Sequence, residues 1–132
     1  MASPERPTDA ELEILNVLWS RGPSTVRDVH EEINRSRPAQ YTTILKLMQI
    51  MATKGLVSRD EQARAHIYRA TRPREWTQRQ LAGDLMRRAF GGSARSLLMG
   101  ALSARKASHE ELDEIRRLLN EYEKNEFNKE SK

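Results

Sequence analysis

The chain has 132 residues and a formal charge of +4, from 23 Lys and Arg against 19 Asp and Glu. Only 37% of residues are hydrophobic and 32% are charged, so one compact domain or two very small ones fit, and a large enzyme core with a deep substrate pocket does not. The chain contains no cysteine, which excludes thiolate metal sites, catalytic thiols and disulfides and fits a reducing compartment.

The first helix is marked by Thr8 as N-cap with Glu11 three residues on, a capping box, and then Leu12, Leu15, Leu18 and Trp19 at helical spacing. It is expected to stop near Arg21-Gly22-Pro23. Ser24 is expected to cap a second helix with Val26, Val29, His30 and Ile33 on one face, ending at Ser36-Arg37-Pro38. A third helix runs from about Ala39 or Gln40 to Lys54 and closes on Gly55. Its apolar face is Ile44, Leu45, Leu47, Met48 and Met51, while Thr42, Lys46, Gln49 and Thr53 share one polar stripe. Leu56–Asp60 and Ala65–Ala70 are then short β-compatible runs, the pattern of a hairpin. Three helices and a hairpin make a helix-turn-helix with a wing.

The remainder reads as helical. Pro73 suits a first turn, Trp76, Leu81, Leu85, Met86 and Ala89 continue that helix to Gly91-Gly92, and Ser93 caps the next, which carries Leu97, Leu98, Ala101 and Leu102. Ser108 with Glu111 opens the last helix, where Leu112, Ile115, Leu119 and Tyr122 form a short a/d seam. Past Glu123 a charged tail is expected to fray. The fold class is thus mainly α with a small β-hairpin wing: a DNA-binding domain over residues 6–72, a three-helix dimerisation region over 73–126, and a tail over 127–132. Thin amphipathic helices cannot form much of a core alone, so Leu85, Leu97, Leu98, Leu112, Ile115, Leu119 and Tyr122 are expected to bury against a second copy. No apolar run approaches the roughly 18 residues of a spanning helix, and Met1–Pro7 lacks a signal-like apolar stretch, so a cytoplasmic protein is expected.

Enzyme chemistry finds little footing. His30, His66 and His109 stand far apart without metal-ligand spacing, and Ser103-Ala104-Arg105-Lys106 matches an S-x-x-K pattern without its companion motifs. Charge is more informative. Between Glu32 and Asp60 there is no acidic residue, while Arg35, Arg37, Lys46, Lys54 and Arg59 all fall inside that gap, the footprint of an anionic partner or else a solvated face whose acids lie elsewhere. In a helix-turn-helix the second helix of the motif enters the major groove, which here places Pro38, Ala39, Gln40, Tyr41, Thr42, Thr43 and Lys46 against DNA. Gln40 suits adenine, the Thr42 and Thr43 hydroxyls suit phosphate, and Lys46 suits guanine or phosphate. Ser24, Thr25 and Arg27 are expected at the DNA backbone, and Arg64 at the hairpin tip.

The run Tyr41-Thr42-Thr43-Ile44-Leu45 through Lys54-Gly55-Leu56-Val57, with Arg64-Ala65 and Tyr68, resembles the penicillinase-repressor family of BlaI, MecI and CopY type. Leu12-Glu13-Ile14-Leu15, Val17-Leu18-Trp19 and Thr25-Val26-Arg27-Asp28-Val29 fit the same pattern, so the resemblance covers roughly residues 6 to 120. It implies a homodimeric winged-helix repressor on a palindromic double-stranded operator, in members that control β-lactamase, penicillin-binding-protein or copper-transport genes. Copper-responsive members use C-terminal cysteines, which this chain lacks, so neither metal sensing nor a cofactor is expected. Members released by a membrane-bound sensor protease are cut at an Asn-Phe bond, and the corresponding place here reads Met99-Gly100-Ala101-Leu102. Ala63 stands where the family often has a wing-turn glycine. A reading of a different class is a helical interaction adaptor that does not bind DNA.

Overall fold

The computed structural model describes residues 6–62 and 64–130. Residues 1–5, Ala63 with the expected departure at the wing turn, and the last two residues of the tail lie outside them.

Thr8 opens α1 (Asp9–Arg21) through the capping box: its hydroxyl accepts the Glu11 N–H at 3.2 Å, and the Glu11 carboxylate accepts the Thr8 N–H at 2.9 Å. Gly22, at φ 96°, ends the helix. The cap of α2 (Val26–Ser36) is Thr25, not Ser24: the Thr25 hydroxyl accepts the Asp28 N–H and the Asp28 carboxylate accepts the Thr25 N–H, both at 3.1 Å. Ser24 is displaced from the cap because its backbone is engaged elsewhere, exchanging N–H and C=O with Tyr68 at 2.9 and 2.8 Å. Helix α3 (Tyr41–Lys54) closes on Gly55, whose left-handed φ of 81° lets its N–H return to the last turn.

Strands β1 (Val57–Asp60) and β2 (Ile67–Ala70) pair antiparallel with Val57 opposite Ala70 and Asp60 opposite Ile67. Each is shorter than the sequence pattern. The described residues between them, 61–62 and 64–66, form the exposed turn. Thr71 ties the hairpin back to the end of α3, donating its hydroxyl to the Gly55 carbonyl at 2.7 Å.

The described residues fall into two compact units that divide between Asp84 and Leu85, inside α4 (Arg74–Ala89). The first holds the core: Ile14, Leu15 and Leu18 from α1, Val26, Val29 and Ile33 from α2, Ile44, Met48 and Met51 from α3, with Val57 and Tyr68 from the hairpin. Each fully buried aliphatic side chain contributes about 1.5–3 kcal/mol relative to exposure. The segment after β2 is held to α1, since Trp19 Nε1 donates to the Arg72 carbonyl at 2.9 Å and the Arg74 guanidinium stacks 5.7 Å from the Trp19 ring centroid.

The second unit comprises the end of α4, then α5 (Ala94–Ala104) and α6 (His109–Glu130). Gly91 and Gly92, at φ 58° and 79°, make the turn after α4, and the Ser93 hydroxyl caps α5 by accepting the Ser96 N–H. Ser108 accepts the Glu111 N–H at the start of α6. That helix continues to Glu130 instead of fraying past Glu123, because the Glu and Lys of the charged stretch are themselves good helix formers.

Candidate nucleic-acid interface

The start of α3 is placed by α2. His30 Nε2 lies 2.7 Å from the Ala39 carbonyl oxygen, which can only accept, so the ring nitrogen donates. Asn34 Oδ1 accepts the Ala39 N–H at 3.1 Å. Two side chains of α2 thus hold both polar groups of one peptide residue in the turn, and the His30 ring meets Tyr41 edge-to-face at 5.7 Å. From the sequence His30 has a place on the apolar face of α2, but neither it nor Asn34 is assigned a role at this turn. The signal available was their position one helical turn apart at the end of α2, just ahead of a turn whose backbone needs partners.

From that anchored turn, Gln40, Tyr41, Thr42, Thr43 and Lys46 are all exposed, as are Gln49 and Thr53 farther along the stripe. Helices α1 and α2 have capping boxes, whereas Gln40 makes no side-chain cap bond. The first-turn N–H groups of α3 are therefore left without a side-chain cap, and the positive end of its dipole faces outward with no acidic residue in that turn. Pro38 is exposed and Ala39 half-buried, the latter committed through its backbone to α2. Ile50, outside the apolar face read from the sequence, is 40% exposed on this helix.

The remaining expected DNA contacts divide. Thr25 is half-buried and serves as the α2 cap, and Arg27 is exposed beside Glu31 at 3.4 Å. Ser24 is only 1% exposed, with its hydroxyl donating to the Gly22 carbonyl, so its side chain faces the protein and not an outside backbone. Arg64 is exposed on the hairpin turn and has no ion-pair partner among the described residues.

The acid-free stretch is largely neutralised from outside. Arg35 pairs with Glu32 at 3.1 Å, Arg37 with Glu13 at 2.5 Å, Lys54 with Glu11 at 2.8 Å and Arg59 with Glu61 at 3.2 Å. Arg37 holds the Glu13 carboxyl below the ordinary carboxylate range by hydrogen bonding. Of the five cations in the gap, Lys46 is the one without an ion pair among the described residues. The gap in the sequence thus overstates the basic footprint, and the cation left for an outside anion stands in the middle of the exposed α3 stripe.

In the second unit none of the residues from Leu85 to Glu126 is buried. Leu97, Leu112 and Ile115 are half-buried, whereas Leu85, Leu98, Leu119 and Tyr122 are exposed, Tyr122 by 65%. Met99 and Leu118, absent from the expected seam, are exposed with them. No group of His, Cys, Asp and Glu among the described residues could hold a metal ion, and none of their helices is long and apolar enough to cross a membrane.

Three helices with an antiparallel hairpin, and a surface-exposed third helix set by the preceding turn, define a winged helix-turn-helix protein. The model of the penicillinase repressor family matches residues 7–121, and the chain belongs to that family. It is 34% identical over 124 residues to the transcriptional regulator BlaI of Mycobacterium tuberculosis, covering 93% of this chain and 89% of that protein. The penicillinase repressor of Staphylococcus aureus is 20% identical over 87% of this chain and 91% of its own length. The methicillin resistance regulatory protein MecI of Mammaliicoccus sciuri is 22% identical over 86% of this chain and 92% of its own.

Proposed function

We propose that the protein is a dimeric, sequence-specific DNA-binding transcriptional repressor that occupies a palindromic operator and makes or breaks no bond. The observation that carries this reading is the exposed stripe of α3, polar and unpaired at Lys46, on a helix whose opposite face is buried in the core. Gln40 reads adenine, Thr42, Thr43 and the uncapped N–H groups take phosphate, and Lys46 takes guanine or phosphate. Tyr41, braced by His30, and Arg27 lie at the flanks for backbone contacts, while Arg64 reaches the neighbouring groove from the wing. Ser24 contributes through the position of its backbone alone.

Two copies present two such helices, joined through the exposed apolar faces of α5 and α6. A unit without a single buried residue from Leu85 to Glu126 supports this, since it has too little core to stand alone. The names of the relatives, penicillinase repressor and methicillin resistance regulatory protein, support genes of β-lactam resistance or a related response as targets. Met99–Leu102 lies within α5 and contains no Asn-Phe bond, which favours relief of repression by a route other than cleavage there.

The test is selection of bound fragments from the host's genomic DNA followed by titration of the commonest. Nanomolar affinity with a steep fall of log affinity against log salt is expected. A partner of another protein class on the α6 face, with affinity for DNA indifferent to salt, would favour the adaptor reading and contradict this one.

A further inference from the structure

We infer that Ile50 reads a thymine in each operator half-site through the C5-methyl group of that base; the inference rests on the DNA-binding reading above.

Among the described residues of the first unit, Tyr41 and Ile50 are the exposed large hydrophobics, and both stand on α3. Tyr41 has a partner in the His30 ring. Ile50 instead follows Thr42 and Lys46 at successive intervals of four, so the three form one row along the helix, and the other two are exposed. A large aliphatic side chain in line with a phosphate-seeking hydroxyl and an unpaired ammonium belongs to a surface whose partner is mostly polar and anionic, with an isolated apolar spot. The major groove offers such a spot in the thymine C5-methyl, the one methyl group that the four bases display among its hydrogen-bond donors and acceptors.

The residue type suits the task. Isoleucine is branched at Cβ and in a helix holds one strongly preferred χ1 rotamer, so its methyl groups are fixed before binding and little side-chain freedom is lost. Ile50 stands about 12 Å beyond Thr42 along the axis, at 1.5 Å per residue, and therefore addresses a base pair separate from those met by Gln40, Thr42 and Thr43. Threonine methyls near the helix start can also touch thymine, which is why the test must separate positions.

The experiment uses the full chain and a synthetic duplex of the selected operator, with each thymine in turn replaced by deoxyuridine, which removes the methyl and keeps the pairing. The expected result is one thymine per half-site at which replacement weakens binding by about three- to fivefold, the effect of one buried methyl. In Ile50→Ala that sensitivity disappears, while sensitivities at other thymines remain. Because the side chain is exposed, the variant is expected to melt near the wild-type temperature. Ile50→Gln offers an independent reading: a random-sequence selection with it changes the preferred base at that position and leaves the rest of the consensus intact. Methyl sensitivities unchanged in Ile50→Ala, or an unchanged consensus with Ile50→Gln, overturn the inference while leaving the repressor reading standing. Failure of the wild-type chain to bind any duplex specifically overturns both.

Discussion

Lys54, in the last turn of α3, reaches Glu11 in the first turn of α1, and Glu11 is 2% exposed. Burial alone would raise the Glu11 pKa, but the hydrogen bonds from Lys54 and Thr8 and the Lys54 charge outweigh it, leaving it below its ordinary 4.5. Asp28, held by the Thr25 N–H, and Glu13, held by Arg37, are lowered too. A carboxyl lowered on folding stabilises the folded state above its unfolded pKa, and that stability is lost as pH falls through the folded value. The melting temperature is therefore expected to be flat near neutrality and to fall below about pH 4.5, and Glu11→Gln should flatten that decline while costing about 1–3 kcal/mol at pH 7 by denaturant titration. His30→Ala removes the donor to Ala39, and should cost about 1 kcal/mol of stability while weakening operator binding through the loosened α3 start, measured on a chain that still shows native circular dichroism. Lys46→Ala and Arg64→Ala should each weaken operator binding by roughly 1–3 kcal/mol with little change in melting. Equal affinity of the Lys46 variant and the wild type would remove α3 from the interface.

The elements were legible in the sequence wherever one local rule governed them. Thr8 with Glu11, Gly22, Gly55 and Ser93 mark ends that depend on residues a few positions away, and the structure uses each as expected. Ser24 and Thr25 show where local reading stops. Both are good N-cap types, and the choice is made by Tyr68 in the hairpin, whose backbone takes up Ser24. The choice between a basic footprint and a face whose acids lie elsewhere is beyond local reading for the same reason, since Glu13 and Glu11 meet Arg37 and Lys54 only after α1 packs beside the other helices. His30 and Asn34 become meaningful only once the turn they serve is known. As an element-scale check, Thr25→Ala should cost about 1 kcal/mol by loss of the α2 cap, whereas Ser24→Ala should cost less, because its backbone bonds survive. The reverse order in thermal melts would restore Ser24 as the cap.

At the scale of the whole molecule, the hydrophobic content is spent unevenly. Among the residues whose burial is described, the buried side chains lie in the first unit, and the second leaves Leu98, Met99, Leu118, Leu119 and Tyr122 at the surface. Isolated exposed leucines are ordinary, but a helical unit with several and with no buried residue from Leu85 to Glu126 fits an interface between copies. Ile115, half-buried on α6, stands among them, and Ile115→Lys should yield monomers in sedimentation and lose operator affinity together, since each half-site contact then acts alone. The measurement that bears most directly on the account is a footprint of the full chain on its selected operator, taken beside Ile115→Lys. Two protected half-sites about one helical turn or a multiple apart, bound together by the wild type and lost in the variant, are the expected result. A single protected half-site, or protection without sequence preference, would contradict the dimeric repressor.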